Sequence, residues 1–198
     1  TLKMRLGWDH ASLNAPELAR RAQAAGVRMI TVHGRTRCQF YKGTADWAAI
    51  RAVRAATTLP LVVNGDITCY DSARTALARS GADAVMIGRG AQGKPWLPGQ
   101  IGRRLDSGHE EPMPPLPAQF GYVRDLYDAV VSHYGARIGT RHARKHLGWA
   151  LDTAAEAAMA SVDVLKRWRT RILTAEDPAL VHRALAEAFD DFCERAAA

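Results

Sequence analysis

Three short clusters hold the residues best suited to chemistry: His33-Gly34-Arg35-Thr36-Arg37, Asn64-Gly65-Asp66 and Gly88-Arg89-Gly90. Each follows a short apolar, largely β-branched run, so each sits where a buried strand ends. Gly88-Arg89-Gly90 can bring backbone N–H groups and a guanidinium to a phosphate, and Asn64–Asp66 stands at the neighbouring strand end. A lone histidine at a strand end is more often a structural residue than a catalyst, but glycine and two arginines follow His33 at once. A fourth cluster has another character. In Arg141-His142-Ala143-Arg144-Lys145-His146-Leu147-Gly148-Trp149, a helical projection puts Ala143, Leu147, Ala150 and Leu151 on one stripe. Arg141, Arg144, Lys145 and Gly148 fall opposite, with His142 and Trp149 at the margin. Cations edged by an aromatic ring suit a phosphate backbone and a base face, although a solvated basic helix with a core tryptophan has the same pattern. Lys166–Arg171 is spread around its helix and is the weaker signal.

The elements that position these clusters repeat. Pro60–Gly90 reads as strand, helix, parallel strand, with Leu61–Val63 and Ala84–Ile87 as strands and Asp71–Ser80 as a helix closed by Gly81. Thr1–Leu6 alternates, with Leu2, Met4 and Leu6 on one side and Lys3 and Arg5 on the other. Asn14 and Glu17 open a helix that runs to Gly26. Met29–Val32 is the second strand, and Asp46-Trp47 opens the helix to Ala56. Four strand–helix units with a period near thirty predict an α/β fold, the second half of a (β/α)8 TIM barrel, with a doubly wound sheet as runner-up. In both, ligands gather at the carboxyl ends of the strands. The expected domains are the half-barrel over 1–105, a proline-rich linker over 106–117, and an all-α helical bundle over 118–198. Its helices are predicted at 118–134, 138–151, 155–172 and 178–197. A chain opening inside a strand on threonine is expected to have lost its natural beginning.

Composition narrows the classes. The 198 residues are 47% hydrophobic, enough for a packed core. No apolar run approaches bilayer length and no signal segment opens the chain, so no membrane role is expected. Three scattered cysteines, Cys38, Cys69 and Cys193, fit neither a disulfide framework nor a metal site, and a reducing cytoplasm is the expected compartment. The net charge is +7, and it is unevenly placed: residues 133–171 carry 8 basic and 3 acidic side chains, 172–198 carry 2 and 6. That pattern favours a polyanion partner.

TLKMRLGWD, TVHGRTRCQFYKG, VVNGDI, VMIGRG and RKHLGW, in this order and spacing, resemble the tRNA-dihydrouridine synthases, most closely their bacterial B-type branch, over essentially the whole chain. The resemblance implies an FMN-binding barrel followed by a helical tRNA-binding domain. It also implies an oxidoreductase that reduces a tRNA uridine to dihydrouridine with NADPH through the flavin. It implies that Lys3 contacts the isoalloxazine and that His33 lies beside the ring or ribityl chain. Asn64, Gly65, Asp66, Gly88 and Arg89 then hold the ribityl-phosphate end, and Arg141, Arg144, Lys145, His146 and Trp149 face tRNA. The family's proton-donating cysteine belongs to an earlier barrel loop, so no catalytic residue is expected in this chain, which is then an inactive fragment. Cys38 and Cys69 lack the surrounding motif.

Two other functions compete. An FMN oxidoreductase of small molecules would not need the basic bundle. A non-catalytic RNA-binding or regulatory protein would, but no helix-turn-helix signature supports gene control, and no DNA partner is expected. The cut barrel predicts unpaired strand edges through which the chain self-associates.

Overall fold

The computed structural model describes residues 1–197. Four parallel strands form one sheet in the order β1 (Leu2–Arg5), β2 (Ile30–His33), β3 (Leu61–Asn64) and β4 (Ala84–Met86). Helices α1 (Ala15–Ala24), α2 (Arg51–Ala56) and α3 (Tyr70–Ser80) connect them, and α4 (Leu97–Ser107) follows β4. The two central strands are buried on both faces, as continuous apolar runs in a covered parallel sheet should be. Their core joins Ile30, Val32, Leu61 and Val63 to Ala19 of α1, Val53 of α2 and Ala73 of α3.

Register decides which residues meet. Arg5 pairs with His33, His33 with Asn64, and Asn64 with Met86, so the row at the carboxyl edge is polar across β1 to β3. β2 ends one residue later than the sequence predicts, and this shift brings His33 into the row. Lys3 lies two residues before Arg5 and shares its face, because side chains alternate along a strand.

Local chemistry ends the helices largely where it should. Gly81 takes φ 68° and its N–H donates to Leu77 O at the end of α3, while Arg51 donates to the last α3 carbonyls, Ala78 and Arg79. Asn14, expected as a side-chain cap, makes no cap bond, and Glu17 pairs with Arg20 at 2.6 Å instead. The helix opened by Asp46 starts as a 3-10 turn, Ala48–Ile50, with Asp46 Oδ1 accepting from Ala49 N at 3.0 Å.

By contact density the chain divides into two compact units, 1–91 with 96–110 and 92–95 with 111–198. The border at 110 falls inside the proline-rich stretch. Asp106 and Ser107 complete α4, and Leu116-Pro117 begin α5 (Leu116–Tyr134), where proline occupies a first-turn position that needs no N–H. In the second unit α5, α6 (Ala136–Ala157), α7 (Val162–Thr174) and α8 (Pro178–Ala196) pack around Tyr127, Leu147, Leu151, Ile172, Leu185 and Phe192. A break is expected between Leu151 and Ala155, yet α6 runs on to Ala157. Thr153 is buried and Asp152 is held by Arg169 at 2.5 Å, so neither interrupts the helix. The turn comes at Met159, with φ 49°, and Ser161 caps α7 by accepting from Val164 N.

Candidate functional site

A cleft of about 360 Å³ opens at the carboxyl ends of the four strands. Every sequence-predicted residue of the first unit lines it: Lys3, His33, Asn64-Gly65-Asp66 and Gly88-Arg89. Neither Cys38 nor Cys69 does.

The floor is built by one buried ion pair. Gly65 (φ 114°) and Asp66 (φ 54°) turn the chain sharply after β3, and Asp66 then meets Arg35 in a two-pronged pair at 2.8 and 2.6 Å. Arg35 is only 2% exposed and also donates to the Lys42 and Gly43 carbonyls, so it fixes the loop from 34 to 45 beside the cleft. Asp66 Oδ2 accepts from Ala45 N at 2.8 Å, and Arg89 approaches Oδ1 at 3.6 Å. Burial by itself would raise the Asp66 pKa. The Arg35 and Ala45 hydrogen bonds and the Arg35 and Arg89 charges outweigh it and hold the carboxyl below its ordinary value. Asp66 is therefore already committed within the protein, and it can act on a ligand by placing Arg89.

Gly65 has to be glycine. A Cβ there would lie 2.7 Å from the His33 ring and 2.8 Å from Ala45 Cβ, besides the strained φ. Gly88 differs, because a Cβ there would meet open space and its backbone is approachable from the cleft. Asn64 Nδ2 donates to Met86 O at 2.8 Å, bracing β3 against β4.

The remaining cations are less tied down. Arg5 donates to the Thr36 and Phe40 carbonyls at 2.7 and 2.8 Å, and Tyr41 lies beneath both Arg5 (5.6 Å) and Arg89 (4.5 Å). The Lys3 ammonium has no hydrogen bond or ion pair among the described residues. Desolvation, then the Arg5 charge, holds its ammonium below the ordinary lysine value. His33 is buried among these groups. Burial first, then the charges of Arg5, Lys3 and Arg35, push its pKa down to about 4 against the opposing pull of Asp66, so the imidazole is neutral at pH 7. Lys3, Arg5 and Arg89 thus line a cleft whose one carboxylate is already paired, and such a site attracts an anion.

Sequence reasoning missed the roles of Arg5, Arg35 and Tyr41. Arg5 carried a signal, since it shares the face of Lys3. The pairing of Arg35 with a residue 31 positions on depends on how two strand ends meet, which no local pattern encodes.

In the second unit, the projected stripe Ala143, Leu147, Ala150 and Leu151 is buried. Arg141, Lys145 and His146 are exposed, and Trp149 is half-buried with its ring edge-on to His146 at 5.3 Å. Gly148 is not on the open face: it is buried under Arg169 and Leu173 of α7, with Arg169 donating to its carbonyl at 2.9 Å. On α7 itself, Arg167, Arg169 and Arg171 pair with Asp191, Asp152 and Glu187.

No helix among the described residues is long and apolar enough to cross a membrane, and no cluster among them could hold a metal ion. The chain matches the family described as dihydrouridine synthase (Dus) over residues 1–193. A probable tRNA-dihydrouridine synthase of Rhodobacter capsulatus is 52% identical over 192 residues, covering 96% of this chain and 56% of that protein. One from Rickettsia conorii is 44% identical over 194 residues, covering 98% and 56%. A tRNA-dihydrouridine synthase B of Xanthomonas axonopodis pv. citri is 46% identical over 153 residues, covering 75% and 45%. The chain spans about half the length of these curated relatives. With a family match across nearly all its residues, and with relatives this similar, the chain belongs to the dihydrouridine synthase family.

Proposed function

We propose that this chain carries the phosphate side of an FMN pocket and a tRNA-facing helical surface of an enzyme that reduces tRNA uridine to dihydrouridine with NADPH. The observation that carries the reading is the cleft, with three cations around one committed carboxylate at the ends of parallel strands. The names of the relatives support the same substrate. We read 1–105 as the second half of a (β/α)8 barrel, 106–117 as its linker and 118–198 as the tRNA-binding bundle of a cytoplasmic protein.

The residues present suit FMN. Gly88 offers backbone unobstructed by a side chain and Arg89 a guanidinium for the phosphate, with Asp66 holding Arg89 in place. Asn64 and Gly65 would hold the ribityl chain, Lys3 would lie beside the ring, and His33 enters as a neutral group able to donate and accept. When bound, FMN supplies the two-electron carrier for hydride transfer. On α6, Arg141, Arg144, Lys145, His146 and Trp149 would meet tRNA. The cysteine that protonates uracil is supplied outside these residues, so the 198-residue chain alone forms no dihydrouridine.

Comparing FMN with riboflavin tests the cleft, since they differ by the phosphate alone. Charge-assisted contacts at a half-open site should favour FMN about tenfold in fluorescence titration, and Arg89→Ala should erase most of that preference. Equal behaviour of the two flavins towards the wild-type chain would overturn the assignment.

A further inference from the structure

The basic residues of α6 do not all line one concavity. At 100° per residue, Arg137, Arg141 and Arg144 centre on one face with Thr140, Lys145 lies at its edge beside Arg141, and His142 and Trp149 fall further round. The first face is concave. Arg137, Thr140, Arg141 and Arg144 line a cavity of about 240 Å³ with Ala136 and Glu176, the latter from the loop between α7 and α8. Arg144 is half-buried, and its Nε is fully enclosed with no hydrogen-bond partner. A buried, unpaired guanidinium N–H is costly, and native structures seldom leave one without a use.

The rest of the arrangement is also unfavourable as it stands. Arg137 to Arg141 is an i,i+4 pair of like charge, and Arg141 to Arg144 is an i,i+3 pair. Arg137 lies in the first turn of α6, where the helix dipole is positive, and that turn holds no acid. Among the described residues their one ion pair is with Glu176, 3.6 Å from Arg141 and 75% exposed. The contrast with α7 is direct, because three of its arginines have acidic partners. The walls are rigid as well. A Cβ on Gly139 would meet Val131 Cα at 2.7 Å, so α6 begins in backbone contact with α5, and Thr140 Oγ1 is 3.0 Å from Tyr127 Oη.

The geometry points to a recessed phosphate-binding pocket at the start of α6, formed by Arg137, Arg141 and Arg144 and separate from the exposed Lys145–Trp149 face. An anion there pairs with the guanidinium groups of Arg137, Arg141 and Arg144, and a small turn of the Arg144 side chain towards it gives the enclosed Nε the acceptor it lacks. Its source is either a backbone phosphate of RNA, in which case the inference rests on the tRNA reading above, or a free phosphate. Glu176 occupies part of the space and competes with the incoming anion.

The test uses the 198-residue chain, labelled with nitrogen-15 to observe arginine Nε–H signals, with tRNA affinity measured by anisotropy at 50 and 200 mM salt. Added tRNA should shift the Arg144 Nε–H signal. Arg144→Gln should remove about one phosphate contact, so that fourfold more salt weakens its binding about 3.5-fold less than it weakens the wild type. Glu176→Gln, an exposed change that leaves the fold intact, should tighten tRNA binding about two- to fivefold by removing the competitor. If inorganic phosphate alone at millimolar concentration shifts Arg144 while tRNA does not bind, the pocket stands with a free phosphate as ligand and the tRNA reading fails. If tRNA binds but the Arg144 signal and both variants behave as wild type, the pocket is refuted and the tRNA reading survives.

Discussion

Asp66→Asn is the substitution from which most follows. It keeps the shape of the side chain but removes the charge that faces Arg35, a guanidinium 2% exposed and held at 2.6 Å. Removing one partner of a buried pair costs about 3–5 kcal/mol, chiefly because the other charge stays buried and uncompensated. Arg35 retains two carbonyl acceptors, Lys42 and Gly43, and the asparagine oxygen can still accept from Ala45 N, so the lower end applies. About 3 kcal/mol corresponds to an opening equilibrium roughly 150-fold more favourable. The change should be local to the loop from 34 to 45. Hydrogen exchange at Asp46, whose N–H donates to Gly34 O at 2.6 Å, and at Arg37, which donates to Gly7 O at 2.9 Å, should accelerate by about that factor. Amides of the second-unit core, such as those around Leu151, should not change. The Asp66 carboxyl lies below its ordinary value of 3.8 in the folded protein. Its contribution is therefore fully present above that pH and is lost as pH falls through the depressed folded value. Wild type and variant should accordingly converge in strong acid. An acceleration under fivefold at neutral pH, or a difference that persists unchanged in strong acid, would refute this account of the pair.

The remaining predictions concern His33 and the sheet edges. Because the His33 pKa is lowered to about 4 from 6.5, the unfolded chain binds the extra proton first as pH falls, so stability should decline between pH 6.5 and 4 and level off below. Denaturation of the first unit should show that slope, which His33→Gln should abolish; an NMR titration of the imidazole near pH 6.5 would contradict it. β1 and β4 each have a strand on one side only among the described residues, and Val85 and Met86 of β4 are half-buried, not enclosed. The chain should associate through these edges with rising concentration, and light scattering that gives a monomer mass throughout the micromolar range would exclude it.

The strands, the helices between them and the three strand-end clusters were legible because each has a local cause. β-Branched runs define β2 and β3, and Gly81 stops α3 through a left-handed residue that only its backbone adopts freely. What could not be read was longer in range. Asn14 has the right type and place for a cap, yet its backbone makes the turn without the side chain. Gly148 falls on the polar side of the helical projection of α6, but α7 crosses there and lays Arg169 and Leu173 over it. Arg35 reads as one more cation after His33. Its burial against Asp66 appears only when two loops from neighbouring strands are brought together.

The fate of each cation separates the two basic helices more sharply than composition does. Both α6 and α7 are rich in arginine, and the sequence ranks them by how one-sided their charges are. The acids that answer α7 come from α6 and α8: Asp152, Asp191 and Glu187. Asp191 also accepts from Trp168 Nε1 at 2.7 Å, so the tryptophan of that cluster is consumed in holding helices together. Among the described residues Arg137 and Arg144 have no ion pair, and the aromatic rings near α6, Tyr134 and Trp149, meet histidines at its surface, where Tyr134 lies 48% exposed. The strand-end cleft follows the same logic: Asp66 neutralises the arginine that must be buried, while Lys3 and Arg5 keep their charges unopposed and Arg89 has only a distant share of Asp66. Where the cations of α7 and Arg35 are held by close acidic partners, those lining the two concavities have at most a 3.6 Å share of one carboxylate, so their positive charge stands where an anion can use it.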